Sequence, residues 1–278
     1  MSDNQKTLNS SIGFTGVGLH TGEGVHMVIE PAKINHGVKF QRIDLENQPV
    51  LPADINLVTD TQRSTTLEKD NVKIVTVEHL MSALYALGVN NVLIKMDSSE
   101  VPILDGSAKY FVEEIQKVGL KVQDAPLKYI DLPDPIHYTD PDSGSEILFV
   151  PTNNFIISVV LDYQNLALGT QYAEIRDLKD YSTEIAPCKT FVFLTELEKL
   201  SKANLIKGGG LENAIVVVDR EDTKPSEIKK LAHLLGKDGS DIQINGNVLN
   251  NCEMQFYNEP ARHKLLDVIG DLALIGMP

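Results

Sequence analysis

Cysteine is scarce in this sequence of 278 residues, and Cys188 and Cys252 lie far apart without the spacing of a metal-binding motif. We expect reduced thiols, as in cytoplasmic proteins, with a single disulfide as the less supported alternative. Long apolar runs are also missing, since none approaches the roughly 18 residues that a membrane-spanning helix needs. The polar amino-terminal residues lack the apolar region of a signal peptide. These absences predict a cytoplasmic protein without a transmembrane segment.

Positive charge is in short supply as well. The chain has 25 lysines and arginines against 39 aspartates and glutamates, which gives a net charge of −14. Nucleic acids and anionic membranes attract basic surfaces, so this balance argues against either as a general partner. A local basic pocket for an anionic small molecule is still compatible with it.

The order of the predicted elements points to an α+β fold. Hydrophobic residues make up 42% of the chain and charged residues 23%, as in a globular protein that can bury a core. Each half has strands first and places a histidine near the start of an apolar helix late in the half. We expect two similar domains, residues 1–125 and 126–278, with a proline-containing linker over 121–135. Residues 220–230 and 237–250 are predicted to be exposed connections.

Two glycine-rich stretches predict tight turns or close backbone approach. The first, over 13–22, does not fit the GxGxxG pattern that opens a helix. The second, Gly208–Gly210, precedes an apolar strand, and a flexible turn is favoured there over a ligand cradle. His20 and His26 are available ligands, but single histidines in such places are more often turn or surface residues.

The helix predicted over 262–274 carries a histidine and an aspartate four residues apart. His263 and Asp267 therefore lie on one face, a turn from each other, and can share one metal ion, with Asp271 a further turn along. A surface pair is the commoner explanation of this spacing alone. The second acid–histidine pair, Glu78-His79, favours the metal hypothesis.

Glu78 and His79 fall in the first turn of a helix predicted over 76–88. Thr76 suits the N-cap of this helix and Gly88 its end. A carboxylate at a helix N-terminus is often only complementing the helix dipole. The functional interpretation places His79 on a metal and Glu78 beside it as general base.

Two histidines and one aspartate form the three-ligand set of a catalytic zinc site, with a fourth position left for water. A carboxylate outside the coordination shell, here Glu78, can remove a proton from that water. The reaction class that follows is metal-assisted hydrolysis of an amide or ester, in which a hydroxyl donor or cation stabilises the oxyanion. Iron or cobalt can also occupy such a site.

Several motifs in chain order resemble the UDP-3-O-acyl-N-acetylglucosamine deacetylase family, the zinc amidases of lipid A biosynthesis. The matching segments are 16–22 (GVGLHTG), 76–80 (TVEHL), 101–108 (VPILDGSA), 189–191 (KTF), 209–216 (GGLENAIV) and 263–271 (HKLLDVIGD). EHL and HKxLDxxGD together are highly specific, whereas either alone is not. The resemblance implies two α+β domains, each a layer of helices on a sheet, with the active site between them.

The resemblance also implies a role for each matching position. Zn²⁺ would be held by His79, His263 and Asp267, with Glu78 as general base and with Thr190 and Lys264 stabilising the oxyanion. Substrate contacts would come from Leu19, Phe191, Gly209, Gly210 and Lys264, and the segment 195–218 would shape an acyl-chain passage. The implied reaction removes the N-acetyl group of UDP-3-O-acyl-N-acetylglucosamine and releases acetate, the committed step of lipid A biosynthesis.

One departure from the family pattern concerns the general acid, a histidine in a Gly-His motif that follows the HKxLDxxGD helix. The sequence stops at Pro278, before that motif, and Asp271 matches the aspartate that orients the missing histidine. We therefore expect a truncated chain that binds metal and has impaired activity. Some members of this family continue into a fused dehydratase domain, which implies a longer parent protein of that kind. A zinc hydrolase for another N-acyl sugar and a non-catalytic ligand-binding remnant are the alternatives.

Overall fold

The computed structural model describes residues 4–203, 205–220, 223–234, 244–249 and 254–277, and its architecture is mixed α+β. The predicted fold class is confirmed, whereas the division into domains of residues 1–125 and 126–278 stays a prediction. Cys188 is buried and free, and Cys252 lies outside the described residues. Within the described ranges, no helix is both long and apolar enough to cross a membrane.

The largest sheet lies in the first half of the chain. Its strands are β2 (Ile12–Val17), β3 (Gly24–Pro31), β4 (Val38–Arg42), β5 (Val50–Pro52) and β9 (Val92–Met96). They are arranged in the order β2-β3-β9-β4-β5, with β4 and β9 parallel. Val25, Met27 and Ile29 occupy alternate positions in the sequence, as is typical of a strand, and these three side chains of β3 are fully buried on one face.

Two smaller sheets complete this half. One pairs β1 (Asn4–Leu8) antiparallel with β10 (Leu120–Pro126). The other has three antiparallel strands, β6 (Val58–Asp60), β7 (Thr66–Lys69) and β8 (Val72–Ile74).

The strands of the second half form two antiparallel pairs and one four-stranded sheet. The pairs are β11 (Ile136–Thr139) with β12 (Glu146–Phe149), and β13 (Ile157–Leu161) with β14 (Gln171–Ile175). The sheet contains β15 (Phe191–Phe193), β16 (Ile215–Val217), β17 (Ile244–Asn245) and β18 (Val248–Leu249), in the order β15-β16-β18-β17.

The described residues contain six α-helices and two short 3₁₀ turns, at Ile55–Leu57 and Leu178–Asp180. The helices are α1 (Glu78–Ala86), α2 (Lys109–Val118), α3 (Tyr181–Glu184), α4 (Leu194–Lys202), α5 (Pro225–Leu234) and α6 (Glu259–Ala273). The predicted helix of the EHL motif is confirmed, and Gly88 follows its C-cap with a φ of 71°. Helix α6 begins three residues before the predicted start, with Pro260 in its first turn, where a missing N–H costs nothing.

Two boundary predictions were wrong. Thr76 is not the N-cap of α1, because its backbone is left-handed, its hydroxyl donates to Glu100, and Val77 takes the cap position. The linker prediction over 121–135 overlooked β10, whose partner β1 lies at the other end of this half and leaves no local signal.

The exposed connection predicted over 220–230 is also partly wrong, since α5 starts at Pro225. Its buried side chains Ile228 and Ala232 are four residues apart and face the core, while Lys229 between them is exposed. The high charge of this segment hid the helical period of its apolar residues.

Helices α1 and α6 cross within the main core, which also receives side chains from the five-stranded sheet and from β13 and β14. At the crossing, a Cβ atom placed on Gly270 would lie 2.0 Å from the backbone oxygen of Glu78. Real side chains do not approach a carbonyl oxygen this closely, so only glycine fits. The EHL motif on α1 and the HKxLDxxGD motif on α6 are therefore in backbone contact at the crossing.

We predict that Gly270→Ala destabilises the protein by about 2 kcal/mol or more, because the backbones must separate and the overpacking outweighs the better helix propensity of alanine. The matched control is Gly24→Ala, whose added Cβ meets nothing within 4 Å and is expected to change stability by less than about 0.5 kcal/mol. Denaturant unfolding of both variants measures the difference. Equal stabilities would contradict a tight crossing.

Candidate metal centre and adjoining pockets

The first turn of α1 supplies Glu78 and His79, whose side chains are both buried. The helix starts here because Thr76 turns the chain through the left-handed region and is held by the buried carboxylate of Glu100. An acidic residue in this first turn also complements the helix dipole. The two side chains point to the neighbouring helix α6.

Helix α6 supplies His263 and Asp267 on one face, as predicted from their spacing. One carboxylate oxygen of Asp267, Oδ1, lies 3.5 Å from Nε2 of His263 and 3.7 Å from Nε2 of His79. The two imidazole rings stand nearly perpendicular, at 87°, with centroids 4.8 Å apart. The tertiary structure thus brings the three predicted ligands together, and their ligand atoms all lie within 4.8 Å of one another.

This arrangement fits a shared cation better than a set of hydrogen bonds. Oδ1 of Asp267 is buried without a hydrogen-bond partner, and both histidine nitrogens are too far from it to donate well. A buried carboxylate oxygen without a partner is costly, whereas a metal ion between the three groups would satisfy it. Two imidazoles and one carboxylate are the ligand types that zinc takes in three-residue sites.

The other nitrogen of His263 has a protein partner. Nδ1 lies 3.0 Å from the carbonyl oxygen of Cys188, which fixes the ring and assigns the proton to Nδ1. Nε2 is then free to act as an electron-pair donor, as is usual for metal-binding histidines.

Burial keeps both imidazoles neutral, which is the form that binds metal. It lowers the pKa of His79 to about 3, with repulsion from His263 as a further cause, and it lowers the pKa of His263 as well. Burial also opposes ionisation of Asp267, but attraction to His263 and Lys264 outweighs it and leaves the pKa of this carboxyl below its ordinary value.

Glu78 and Asp271 are two further acidic residues that line the site. Burial, together with repulsion from Asp267, raises the pKa of Glu78 to about 8, and burial raises the pKa of Asp271 to about 6. Thr65 binds both residues: its N–H donates to Glu78 at 3.0 Å and its hydroxyl donates to Asp271 at 2.7 Å. A positive ion beside Glu78 would offset the burial and the repulsion from Asp267, so it would lower the pKa of Glu78 and favour the carboxylate.

Lys264 and Thr190 line the same pocket as the candidate ligands. Nζ of Lys264 donates to Oδ2 of Asp267 at 2.8 Å, and this carboxylate raises the pKa of Lys264, so the ammonium stays charged. Thr190 is held in place by its backbone, which donates to Gly106 and accepts from Ile215, both at 2.8 Å.

Two pockets meet at this place. The polar pocket has a volume of about 340 Å³ and is lined by all the predicted metal ligands, by Glu78, Thr190, Lys264 and Asp271, and by Leu19 and Phe191. The second pocket, the apolar cavity, shares Leu19, Thr190 and Phe191 with the first and continues along side chains of α4, β16 and α5. Gly209 and Gly210 line the apolar cavity only, so the structure places them away from the metal ligands.

Sequence reasoning missed several residues of the polar pocket. Thr65 carries no motif, and its role arises only because β7 begins beside both helices. Arg63 and Glu196 form an ion pair at 2.6 Å that joins the loop before β7 to α4. The partners of this pair are 133 residues apart in sequence, so no local pattern could have revealed it.

The α+β fold and the two-histidine, one-aspartate cluster beside a buried glutamate define a candidate metal-dependent hydrolase. A family profile described as "LpxC: UDP-3-O-acyl N-acetylglycosamine deacetylase" matches residues 5–231 and 238–278. The chain belongs to this family.

Curated relatives are similar over nearly the whole chain. A "Bifunctional enzyme LpxC/FabZ" of Bacteroides thetaiotaomicron is 46% identical over 274 residues, which are 99% of this chain and 59% of that protein. A protein of the same name from Chlorobaculum tepidum is 42% identical, again over 59% of its length. A "UDP-3-O-acyl-N-acetylglucosamine deacetylase" of Thermosynechococcus vestitus is 37% identical, over 86% of its length. The chain thus spans about three fifths of the bifunctional relatives.

We predict that the purified protein binds one zinc ion and that His263→Ala weakens this binding by more than about 100-fold, above the loss typical of an outer-shell change. The physical reason is the loss of one of three ligands. Elemental mass spectrometry after dialysis against a weak chelator measures how much zinc each protein retains. His26→Ala is the control, since His26 is exposed and pairs with Asp97. Equal zinc contents in the two folded variants would contradict the site.

Proposed function

We propose that the protein is a zinc-dependent deacetylase that removes the N-acetyl group of UDP-3-O-acyl-N-acetylglucosamine and releases acetate, a step of lipid A biosynthesis. The observation that carries this proposal is the unpartnered Oδ1 of Asp267 facing two neutral histidines, with Glu78 alongside. Membership in the deacetylase family and the names of the relatives support the substrate.

His79, His263 and Asp267 would hold the metal. When bound, a zinc ion would acidify a water molecule and polarise the acetyl carbonyl. The chain's contribution is to keep the imidazoles neutral by burial and to fix the His263 ring through Cys188.

Glu78 is the proposed general base. Its carboxylate lines the same pocket as the three ligands and is held from behind by the N–H of Thr65. It can therefore accept a proton from the water that attacks the acetyl carbon.

Thr190 and Lys264 are the proposed stabilisers of the oxyanion that develops on the acetyl oxygen. Both line the polar pocket, one as a hydroxyl donor and the other as a permanent cation. Asp271 is proposed to orient the general acid for the leaving amine, the histidine of the family's Gly-His motif. Its carboxylate suits this role because Thr65 fixes it at the pocket.

The two adjoining pockets suit a substrate with a polar head and an acyl chain. The sugar would occupy the polar pocket and the 3-O-acyl chain the apolar cavity, with Leu19 and Phe191 at the junction. Gly209, Gly210 and the segment 195–218 would then shape the passage for the chain. We also propose that the segment described here is the deacetylase part of a two-activity protein, as the names of the bifunctional relatives suggest.

We predict that Glu78→Gln lowers deacetylation by about 10²–10⁴-fold, the usual contribution of a general base, while one zinc ion stays bound. Release of acetate from UDP-3-O-acyl-N-acetylglucosamine by the full-length protein measures the rate, and elemental analysis measures the zinc. The control is Glu113→Gln on the exposed side of α2, which is expected to leave both unchanged. A zinc-loaded Glu78→Gln variant with normal turnover would rule out this role.

A further inference from the structure

His20 lies in the loop after β2 and lines the apolar cavity. Its relative exposure is 8%, and neither Nδ1 nor Nε2 has a hydrogen-bond partner. A neutral imidazole carries one donor and one acceptor, so two polar atoms are buried here without compensation. The proposed metal ligands lie elsewhere, and His20 does not line their pocket.

The backbone around His20 is held by hydrogen bonds on both sides, which fixes the position of this residue beside the cavity. The buried carboxylate of Glu100 accepts from the N–H groups of His20 and Thr21 at 2.9 and 2.8 Å. From the other side, the N–H of Lys207 donates to the carbonyl of His20 at 3.3 Å, and that of Gly208 donates to Leu19 at 3.0 Å.

The glycine at position 208 is required for this contact, because an added Cβ would lie 2.1 Å from the carbonyl oxygen of Gly18. The loop that carries His20 is therefore clamped between Glu100 and the 207–208 segment. These contacts fix the backbone at His20, whose buried ring lines the apolar cavity.

A leucine at position 20 would avoid the cost of two buried unpartnered nitrogens, which is roughly 1–3 kcal/mol for each polar group. Most of the cavity is aliphatic, with lining residues that include Leu197, Ile206, Leu211, Val216, Ile228 and Leu249. The other polar lining residues are Thr190, whose hydroxyl has a proposed role, and Arg63, which pairs with Glu196. An unpartnered histidine in such surroundings indicates a ligand atom that it binds.

We propose that the His20 imidazole donates a hydrogen bond to the ester carbonyl oxygen of the substrate's 3-O-acyl group and thereby selects an acyl over an alkyl substituent. This inference rests on the proposed function. The residue before it, Leu19, lines both pockets, so His20 lies next to the junction where the sugar ends and the chain begins. The ester carbonyl is the polar atom that a 3-O-acyl sugar must place at this point.

The test compares two probes of equal chain length, UDP-N-acetylglucosamine carrying a 3-O-acyl ester or the 3-O-alkyl ether that lacks the carbonyl. Every protein carries Glu78→Gln, so that neither probe is consumed, and calorimetry gives the dissociation constants. With His20 present we expect the ester to bind about fivefold more tightly, as one neutral hydrogen bond allows. With His20→Leu the two probes should bind within about twofold of each other, whereas the control His26→Leu should keep the preference.

Thermal unfolding separates this role from a structural one. Because His20 makes no side-chain hydrogen bond, we expect His20→Leu to be at least as stable as its parent. A second readout leaves His20 unchanged in the Glu78→Gln protein: with ¹⁵N-labelled histidine, one His20 ring nitrogen should shift with the ester probe and not with the ether.

Each outcome has one meaning. An ester preference that survives His20→Leu, or equal nitrogen shifts with both probes, overturns the proposal alone. Failure of the Glu78→Gln protein with His20 intact to bind either probe overturns the proposed function and this inference with it. Loss of the preference in a stable His20→Leu variant supports the hydrogen bond.

Discussion

Where α1 crosses α6, the backbones come so close that Gly270 packs its Cα against the carbonyl of Glu78. This contact sets the spacing of the two helices and, with it, the distance between His79 on one and Asp267 on the other. A side chain at position 270 would push the helices apart and separate the candidate ligands. Packing of the core and assembly of the site therefore depend on the same point.

The candidate site is a buried cluster of imidazoles and carboxylates. Without a cation, the buried carboxylates repel one another and lack the solvation that water would give them. Burial makes both histidines neutral and raises the pKa of Glu78 to about 8, while Asp267 keeps an oxygen without a partner. Lys264 compensates part of the negative charge through Oδ2 of Asp267. Such a cluster lowers the stability of the metal-free protein, which is the usual cost of a preorganised site.

The periodic patterns of apolar residues predicted the elements whose structure depends on residues nearby in the sequence. Helix α1 and the core of α6 were predicted from such apolar repeats, and strand β3 follows one as well. The patterns failed where a distant partner decides the structure. Strand β10 exists because β1 pairs with it across more than a hundred residues, and Thr76 leaves the helix because Glu100 binds its hydroxyl.

The helical period of the sequence already places His263 one turn from Asp267, on one face of the helix. The sequence also carries the motifs of the family. That His79 meets these two residues follows only from the tertiary fold, since no local rule relates residues on two helices far apart in the chain. The same holds for Thr65, which lies just before β7 in a segment without a motif and binds both Glu78 and Asp271. It also holds for His20, whose missing partners become visible only when the loops around it close over an apolar cavity. Burial and hydrogen bonding are properties of neighbours in space, and the fold alone brings these neighbours together.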